Sequence, residues 1–335
     1  MERNQIISFV GQQECCVRIG RWDETLAERG ASVRTIAIID RKVWEAHGAT
    51  FDHFEEQILV EGGEENKSIE GAKTLWERLI EMRADRKTRL LGIGGGTVTD
   101  LVAFVASTYM RGVDFFLVPT TLMGQVDAAI GGKCAVNMGG YKNMVGLFSL
   151  PREVVCDVRL LASLPEREWR AGLAEVVKTA IIGDVELFEL LEQTSLDDIR
   201  HNVLLAEGIV ARCAAVKCGI VQRDLRESGE RMLLNLGHTF AHAIESLSRE
   251  YSHGEAVAVG VVLAARKAVE KGVLEAATAD RIVALVERYG LPVSVDVPIE
   301  ELLPAMLHDK KRQGGAIHWI LPTQIGHCIV KKEEL

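Results

Sequence analysis

Residues 90–100 read Leu90-Leu91-Gly92-Ile93-Gly94-Gly95-Gly96-Thr97-Val98-Thr99-Asp100. A short apolar run, three glycines and the opening of a helical pattern follow one another without a spacer. Glycines let a backbone approach a ligand closely, and the free N–H groups of a helix start suit a pyrophosphate. The spacing is not GxGxxG, so alone the segment also fits a tight strand-to-helix turn. Its surroundings decide the fold. Thr35-Ile36-Ala37-Ile38-Ile39-Asp40 reads as a buried strand and Phe115-Phe116-Leu117-Val118-Pro119-Thr120-Thr121 as another. Residues 69–83 between them read as a helix with Leu75, Leu79 and Ile80 on one face. Strands alternating with helices predict a parallel sheet in an α/β architecture. The segment Gly62-Gly63-Glu64-Glu65-Asn66-Lys67 could line the same nucleotide; without the glycine triplet it would read as a surface loop.

Beyond about residue 150 the β signals thin out. Helical patterns take over at 165–192, 199–219, 229–248, 254–271 and 276–289, and a short β-like piece, His318-Trp319-Ile320-Leu321, stands near the end. The expectation is a Rossmann-like nucleotide-binding domain at 1–150 joined to a mainly α-helical domain at 151–335, with a cleft between them as the default ligand site. The net charge of −9 argues against general nucleic-acid binding and makes local cation clusters informative. Neither a run long enough to cross a bilayer nor a secretory signal pattern is present, so a cytoplasmic protein without membrane association is expected. Seven cysteines, an odd number without metal-like spacing, read as reduced thiols.

Four further segments carry candidate chemistry. The run 119–146, PTTLMGQVDAAIGGKCAVNMGGYKNMVG, sets Asp127, Lys133, Asn137, Lys142 and Asn143 among glycines and small apolar residues. Lysines in such loops suit phosphate, whereas the bland alternative is a solvated connection. In 170–178, RAGLAEVVK, Glu175 and Lys178 share a helix face; a surface ion pair is the plain reading, but the small apolar flanks count against it. Arg231, Asn235, His238 and His242 form a stripe at i, i+4, i+7 and i+11 on an otherwise apolar helical stretch, followed by Ser252-His253-Gly254-Glu255. Polar groups on a packed helix are costly unless paired or used. Two histidines and a carboxylate with an open position make a catalytic zinc shell. Spacing leaves the ligands open: His238 and His242 could chelate as an i,i+4 pair, and Glu245 and Glu255 compete with Glu175. Asp309-Lys310-Lys311 alone would be a solvated face.

Taken together, these segments resemble the 3-dehydroquinate synthase family over roughly residues 60 to 325. The patterns GGGxxxD, QVDxxxGGK…KNM, GLAEVxK, LNxGHTxxHAxE…HGEAV and DKK…G occur in the family's order and near its spacing. The resemblance implies a lyase of the shikimate route to aromatic amino acids, dependent on NAD and on zinc or cobalt. It would convert 3-deoxy-D-arabino-heptulosonate 7-phosphate to 3-dehydroquinate and phosphate by oxidation, elimination, reduction, ring opening and aldol closure. By the same resemblance the metal ligands are Glu175, His238 and His253. Nucleotide contacts fall on Asp40, Gly63, Glu64, Lys67, Gly94, Gly95, Gly96, Asp100, Thr120 and Thr121, with Lys133 and Lys142 beside them. Catalytic roles fall on Asp127, Lys133, Lys178, Arg231, Asn235 and His242, and substrate contacts on Asn143, Lys217, Lys310 and Lys311. Arg111 matches an arginine that reaches the neighbouring subunit's site, which implies a homodimer. Cys134, Tyr141, Leu225, Glu230 and Ala241 depart from the usual pattern without removing a ligand.

Two rivals are another sugar-phosphate cyclase, such as 2-deoxy-scyllo-inosose synthase, and a glycerol-dehydrogenase-like metal-dependent alcohol dehydrogenase. The first has no need of Arg231 and Lys217 as a carboxylate clamp; the second has no need of Lys133, Lys142, Arg231 and Asn235 as a phosphate pocket. A non-catalytic sensor would be expected to have lost metal ligands, and here the set is intact.

Overall fold

The structure, a computed structural model, describes residues 4–7, 14–22, 33–52, 54–248, 250–296, 302, 306 and 316–334. The chain resolves into two compact units, one made of Met1–Pro165 with Ala206–Leu225 and the other of Glu166–Leu205 with Arg226–Leu335.

The first unit is built on a seven-stranded sheet. Its strands are β1 (Asn4–Ile7), β2 (Cys15–Ile19), β3 (Thr35–Asp40), β4 (Gln57–Val60), β5 (Arg89–Gly94), β6 (Phe115–Pro119) and β9 (Glu153–Cys156), in the spatial order β1-β2-β9-β6-β5-β3-β4. Every pairing is parallel except β1 with β2. Central strands of a parallel sheet are covered on both faces, which is why β3 and β5 are apolar runs rather than alternations. Ile36, Ile38, Ile39, Leu90 and Ile93 are fully buried, each worth about 1.5–3 kcal/mol of transfer free energy. Between strands lie α1 (Arg41–Phe51), α2 (Ile69–Glu81) and α3 (Gly96–Thr108). Asp40 ends β3 and caps α1 by accepting from the Lys42 N–H at 3.0 Å; Ser68 caps α2 by accepting from the Gly71 N–H at 3.1 Å.

The expected strands at 35–40 and 90–93 and the helix at 69–83 are present, but Ile80 is 64 % exposed rather than on the packed face with Leu75 and Leu79. The third strand stops at Pro119, after which the Thr120 N–H bonds the Gly94 carbonyl at 2.9 Å. Residues 119–146 are more than a loop. They form a π-helical turn over Gly124–Ala128 and an antiparallel hairpin of β7 (Lys133–Met138) and β8 (Tyr141–Phe148).

The second unit is mainly helical: α4 (Glu166–Gly183), α5 (Val185–Gln193), α6 (Leu196–His201), α8 (His238–Leu247), α9 (His253–Glu270) and α10 (Ala276–Arg288). Helix α7 (Val203–Arg223) follows α6, and most of it groups with the first unit. The stretch 165–192 is two helices because Asp184 caps a new one, accepting from the Leu187 N–H; Asn202 likewise restarts the chain by accepting from the Leu205 N–H. The β-like piece at 318–321 is one arm of a hairpin, β10 (Ala316–Gln324) with β11 (His327–Glu334).

The largest departure is at 229–248. The single helix expected there is broken. Glu230–Asn235 is a 3-10 turn, Leu236 is extended, Gly237 is left-handed at φ +79°, and α8 starts only at His238. The stripe is therefore not one helix face. Apolar periodicity could not register the break because apolar residues are buried on both sides of it, Leu234 and Leu236 before and Phe240 and Ala241 after.

All seven cysteines are free thiols. Burial raises Cys15 and Cys156 and pushes Cys134, Cys218 and Cys328 up to about 12, which keeps them protonated and unreactive. Among the described residues no helix is long and apolar enough to cross a membrane.

Candidate functional site

In the helical unit three side chains converge. Glu175, midway along α4, is fully buried; its Oε1 lies 3.7 Å from His238 Nε2 and 3.6 Å from His253 Nε2. These two histidines are the first residues of α8 and α9. Close packing of backbones brings them together. A Cβ on Gly254 would collide with the Ala171 carbonyl of α4, and one on Gly260 with the Gly237 carbonyl before α8. A Cβ on Gly237 itself would sit 2.8 Å from the Val261 nitrogen. The break at Gly237 thus aims His238 at α4, which a continuous helix would not do.

The donor set fits a divalent metal. A tetrahedral ion about 2.0–2.1 Å from each atom needs ligand atoms about 3.4 Å apart, close to the separations observed. His238 Nδ1 meets the Leu236 carbonyl at 3.2 Å and His253 Nδ1 meets Glu245 at 3.3 Å. Those outer acceptors suit ring protons on Nδ1 and aim both Nε2 atoms at Glu175, where an ion would take the place of any Nε2 proton, the arrangement that orients metal-binding imidazoles. Both Glu175 oxygens are buried without an aligned hydrogen bond, although the Lys178 ammonium stands 2.5 Å from Oε2 as a charge partner. That pair is buried, not the surface ion pair of the plain reading.

The open alternatives close on geometry. His242 lies edge-on to His238 with ring centroids 5.7 Å apart, but it is exposed and outside the cluster. Glu255 is taken by Arg167 and by the Ser252 N–H. Glu245 supports His253 from outside. With no metal bound, burial works against charge on His253, but Glu175 and Glu245 more than offset it and push the ring up to about 10.

The rest of the former stripe lies on the 3-10 turn. Arg231 is 1 % exposed, an unusual depth for a guanidinium. The Asn235 amide donates to the Glu227 carboxylate. Glu227, at φ +60°, is a partner of Asn235 that sequence reasoning passed over; nothing in the local pattern marks it.

In the α/β unit the other candidates gather where the parallel strands end, the edge at which such sheets hold nucleotides. Asp40 closes β3, Gly94 closes β5, and Thr120 and Thr121 follow β6. Gly63 donates its N–H to the Thr97 hydroxyl at 3.2 Å, which draws the 62–67 loop onto the start of α3. Burial raises the Asp40 carboxyl, and its bonds to α1 only partly reverse this. Lys67 does not face outward as a free cation. Its ammonium lies 2.5 Å from Asp100 and 2.6 Å from Asn143 Oδ1. Burial pushes the Asp100 carboxyl up and Lys67 draws it back.

Asp127, within the π-helical turn, takes the Lys217 ammonium on both its carbonyl and its carboxylate. π-turns are rare and concentrate at functional sites. Lys133 and Lys142 are exposed on the β7–β8 hairpin. Arg111, also exposed, follows α3 with φ +69°. Asp309, Lys310 and Lys311 lie outside the described residues.

The profile described as the 3-dehydroquinate synthase N-terminal domain matches residues 57–171, and that of the C-terminal domain matches residues 172–312. A 3-dehydroquinate synthase of Coxiella burnetii (strain Dugway 5J108-111) is 41% identical over 325 residues, covering 93% of this chain and 89% of its own. Among solved structures, a 2-epi-5-epi-valiolone synthase of Streptomyces hygroscopicus subsp. jinggangensis 5008, with NAD+ and Zn2+ bound, superposes with a TM-score of 0.89 at 28% identity, covering 98% of this chain and 95% of its own. A 2-deoxy-scyllo-inosose synthase with carbaglucose-6-phosphate, NAD+ and Co2+ superposes with a TM-score of 0.87 at 24% identity, over 99% and 96% of the two chains, which supports the fold alone.

Proposed function

The chain belongs to the 3-dehydroquinate synthase family, and on that premise we propose how its own residues divide the conversion of 3-deoxy-D-arabino-heptulosonate 7-phosphate to 3-dehydroquinate and phosphate. The observation that carries the reading is the convergence of Glu175, His238 and His253, each imidazole satisfied on its outer nitrogen.

These three residues hold one divalent ion. Bound there, zinc or cobalt supplies Lewis acidity to a substrate oxygen, and NAD bound at the sheet edge supplies a hydride acceptor that is restored by the end of the cycle. Lys178 stands beside the Glu175 carboxylate and holds it in register. Asp40 offers its carboxylate to ribose hydroxyls, while the Gly94–Gly96 turn and the start of α3 offer N–H groups to pyrophosphate; Gly63, Glu64, Thr120 and Thr121 complete the cradle.

The substrate carries a carboxylate and a phosphate, so it needs fixed cations inside an acidic protein. Arg231 pairs with the carboxylate; held in a buried position, it can act as a fork for two parallel bonds. Lys133, Lys142 and Asn143 offer donors to the phosphate; Asn235 and His242 offer donors to the substrate's anionic groups. Donors already in place stabilise the charge growing on a leaving phosphate without reorganisation. Lys217 is engaged by Asp127, so these two act as one polar unit rather than as an independent clamp and base. Arg111 supplies a cation to the neighbouring protomer's site in a homodimer. The cytoplasm is the setting that fits such a biosynthetic enzyme.

The experiment is turnover of the heptulosonate phosphate with NAD and zinc, with the product identified by NMR. We expect 3-dehydroquinate and one phosphate per substrate, and little turnover of a sugar phosphate lacking the carboxylate. A preference for the carboxylate-free substrate would favour the other cyclase reading. Oxidation of a simple polyol without phosphate release would favour the alcohol dehydrogenase.

A further inference from the structure

A polar chain in the α/β unit runs from Glu64 through Asn137 to Asn143 and Lys67. Asn143 sits in the left-handed region at φ +54°, a conformation asparagine tolerates better than most residues but does not seek. Two contacts hold it there. Its backbone N–H donates to Asn137 Oδ1 at 2.9 Å, and its side-chain Oδ1 accepts from the Lys67 ammonium at 2.6 Å. A lysine ammonium can only donate. The Asn143 oxygen must therefore face Lys67, and its NH2 must face away, presenting a donor to an anion. Lys67 is itself anchored by Asp100 at 2.5 Å.

Asn137 is fixed as firmly. Its side-chain NH2 donates to the Glu64 carbonyl at 2.9 Å and to the Glu64 carboxylate at 2.8 Å, and its backbone N–H donates to the Lys67 carbonyl at 2.8 Å. Asn137 thus ties β7 to the 62–67 loop and, through its remaining oxygen, sets the backbone of Asn143. Every hydrogen-bonding atom of its side chain is used for this linkage.

We infer that Asn137 is a positioning residue that, together with Lys67, holds Asn143 in its left-handed pose so that the Asn143 amide donates to the phosphate. This rests on the reading above that Asn143 contacts phosphate. Asn137 acts through Asn143 and touches no substrate atom.

The test is a double-mutant cycle read as the affinity of the NAD- and zinc-loaded enzyme for inorganic phosphate, measured by calorimetry. Asn143→Gly removes the side chain without left-handed strain. It should weaken phosphate binding about tenfold, the fold-change of about 1.4 kcal/mol expected for a hydrogen bond to a charged group. Asn137→Ala should weaken it by a similar factor, and in the Asn143→Gly background it should add nothing. Asn137→Asp keeps the acceptor for the Asn143 N–H but replaces the donor to Glu64 with a like charge, so alone it should bind phosphate no better than Asn137→Ala. In the Glu64→Gln background, where the new amide can donate to that carboxylate, Asn137→Asp should bind phosphate better than Asn137→Ala although it adds a negative charge, an order that plain electrostatics would reverse. Unchanged affinity in Asn143→Gly would sink the underlying assignment of Asn143. A loss in Asn143→Gly, with Asn137→Ala neutral or fully additive, would overturn the positioning role alone. Melting curves with NAD verify that each variant is folded; if Asn137→Ala fails to fold, the same cycle with Asn137→Ser decides, and a phosphate affinity that is unchanged, or a loss fully additive with Asn143→Gly, counts against the inference.

Discussion

Replacing Gly237 with alanine tests how the metal ligands are aimed. Gly237 is left-handed at φ +79°, where a residue bearing a Cβ costs about 1–2 kcal/mol. The new Cβ would also lie 2.8 Å from the Val261 nitrogen and 3.0 Å from Val261 Cγ2. Most of this opposition is the backbone of α9, which cannot turn aside as a flexible side chain would, so overpacking adds about 1–3 kcal/mol. Together the loss is about 2–5 kcal/mol, or roughly 4–20 °C in the melting midpoint at about 2–4 °C per kcal/mol. Relief must come by moving α8 away from α9, and His238 moves with it. Metal affinity should therefore fall along with stability. Calorimetric melting and metal content by mass spectrometry measure the two effects. Gly237→Asn separates them further: asparagine accepts the left-handed backbone but keeps the clash, so it should remain impaired. A Gly237→Ala protein that melts within about 2 °C of the parent, less than the shift of 1 kcal/mol, and retains a full equivalent of metal would refute the argument that this glycine sets the helix break.

Other outcomes follow from the same geometry. Changing Glu245→Ala leaves all three ligands in place but removes the partner of His253 Nδ1, so zinc affinity measured by competition with a chelator should drop about 10–100-fold; an unchanged affinity would show that Glu245 does not orient the ring. The metal-free protein should carry a pH signature, because Glu175 and Glu245 hold His253 at about 10 against burial. A folded pKa raised above the unfolded value of about 6.5 gives stabilisation that is fully present below that pH and lost as pH rises through the folded value. The midpoint of the metal-free protein should then fall between about pH 7 and pH 10, and His253→Gln should remove that component.

Much of the fold was legible because local signals and burial agree. The runs 35–40 and 90–93 are apolar throughout, as central parallel strands must be, and they appear as β3 and β5. The short strands β2, β4 and β9 passed unnoticed because four or five residues carry too little periodicity. The site was legible as residue types, not as geometry. Glu175, His238 and His253 come from three helices, and only the packing of Gly254 against α4 and of Gly260 against Gly237 makes them meet. The 3.6-residue period made Arg231 to His242 look like one face, and a left-handed glycine broke it. Lys67 reads in sequence only as part of a loop that could line the nucleotide; its partners Asp100 and Asn143 lie 33 and 76 residues away, beyond the reach of any local pattern.

The most direct measurement is a metal titration of the chelator-stripped, NAD-supplied enzyme against phosphate release from the heptulosonate phosphate. One site built by Glu175, His238 and His253 predicts no release without metal, a linear rise with added zinc or cobalt, and a plateau at one equivalent per chain. Full release before any metal is added, a plateau at two equivalents, or no release at saturation would contradict the account.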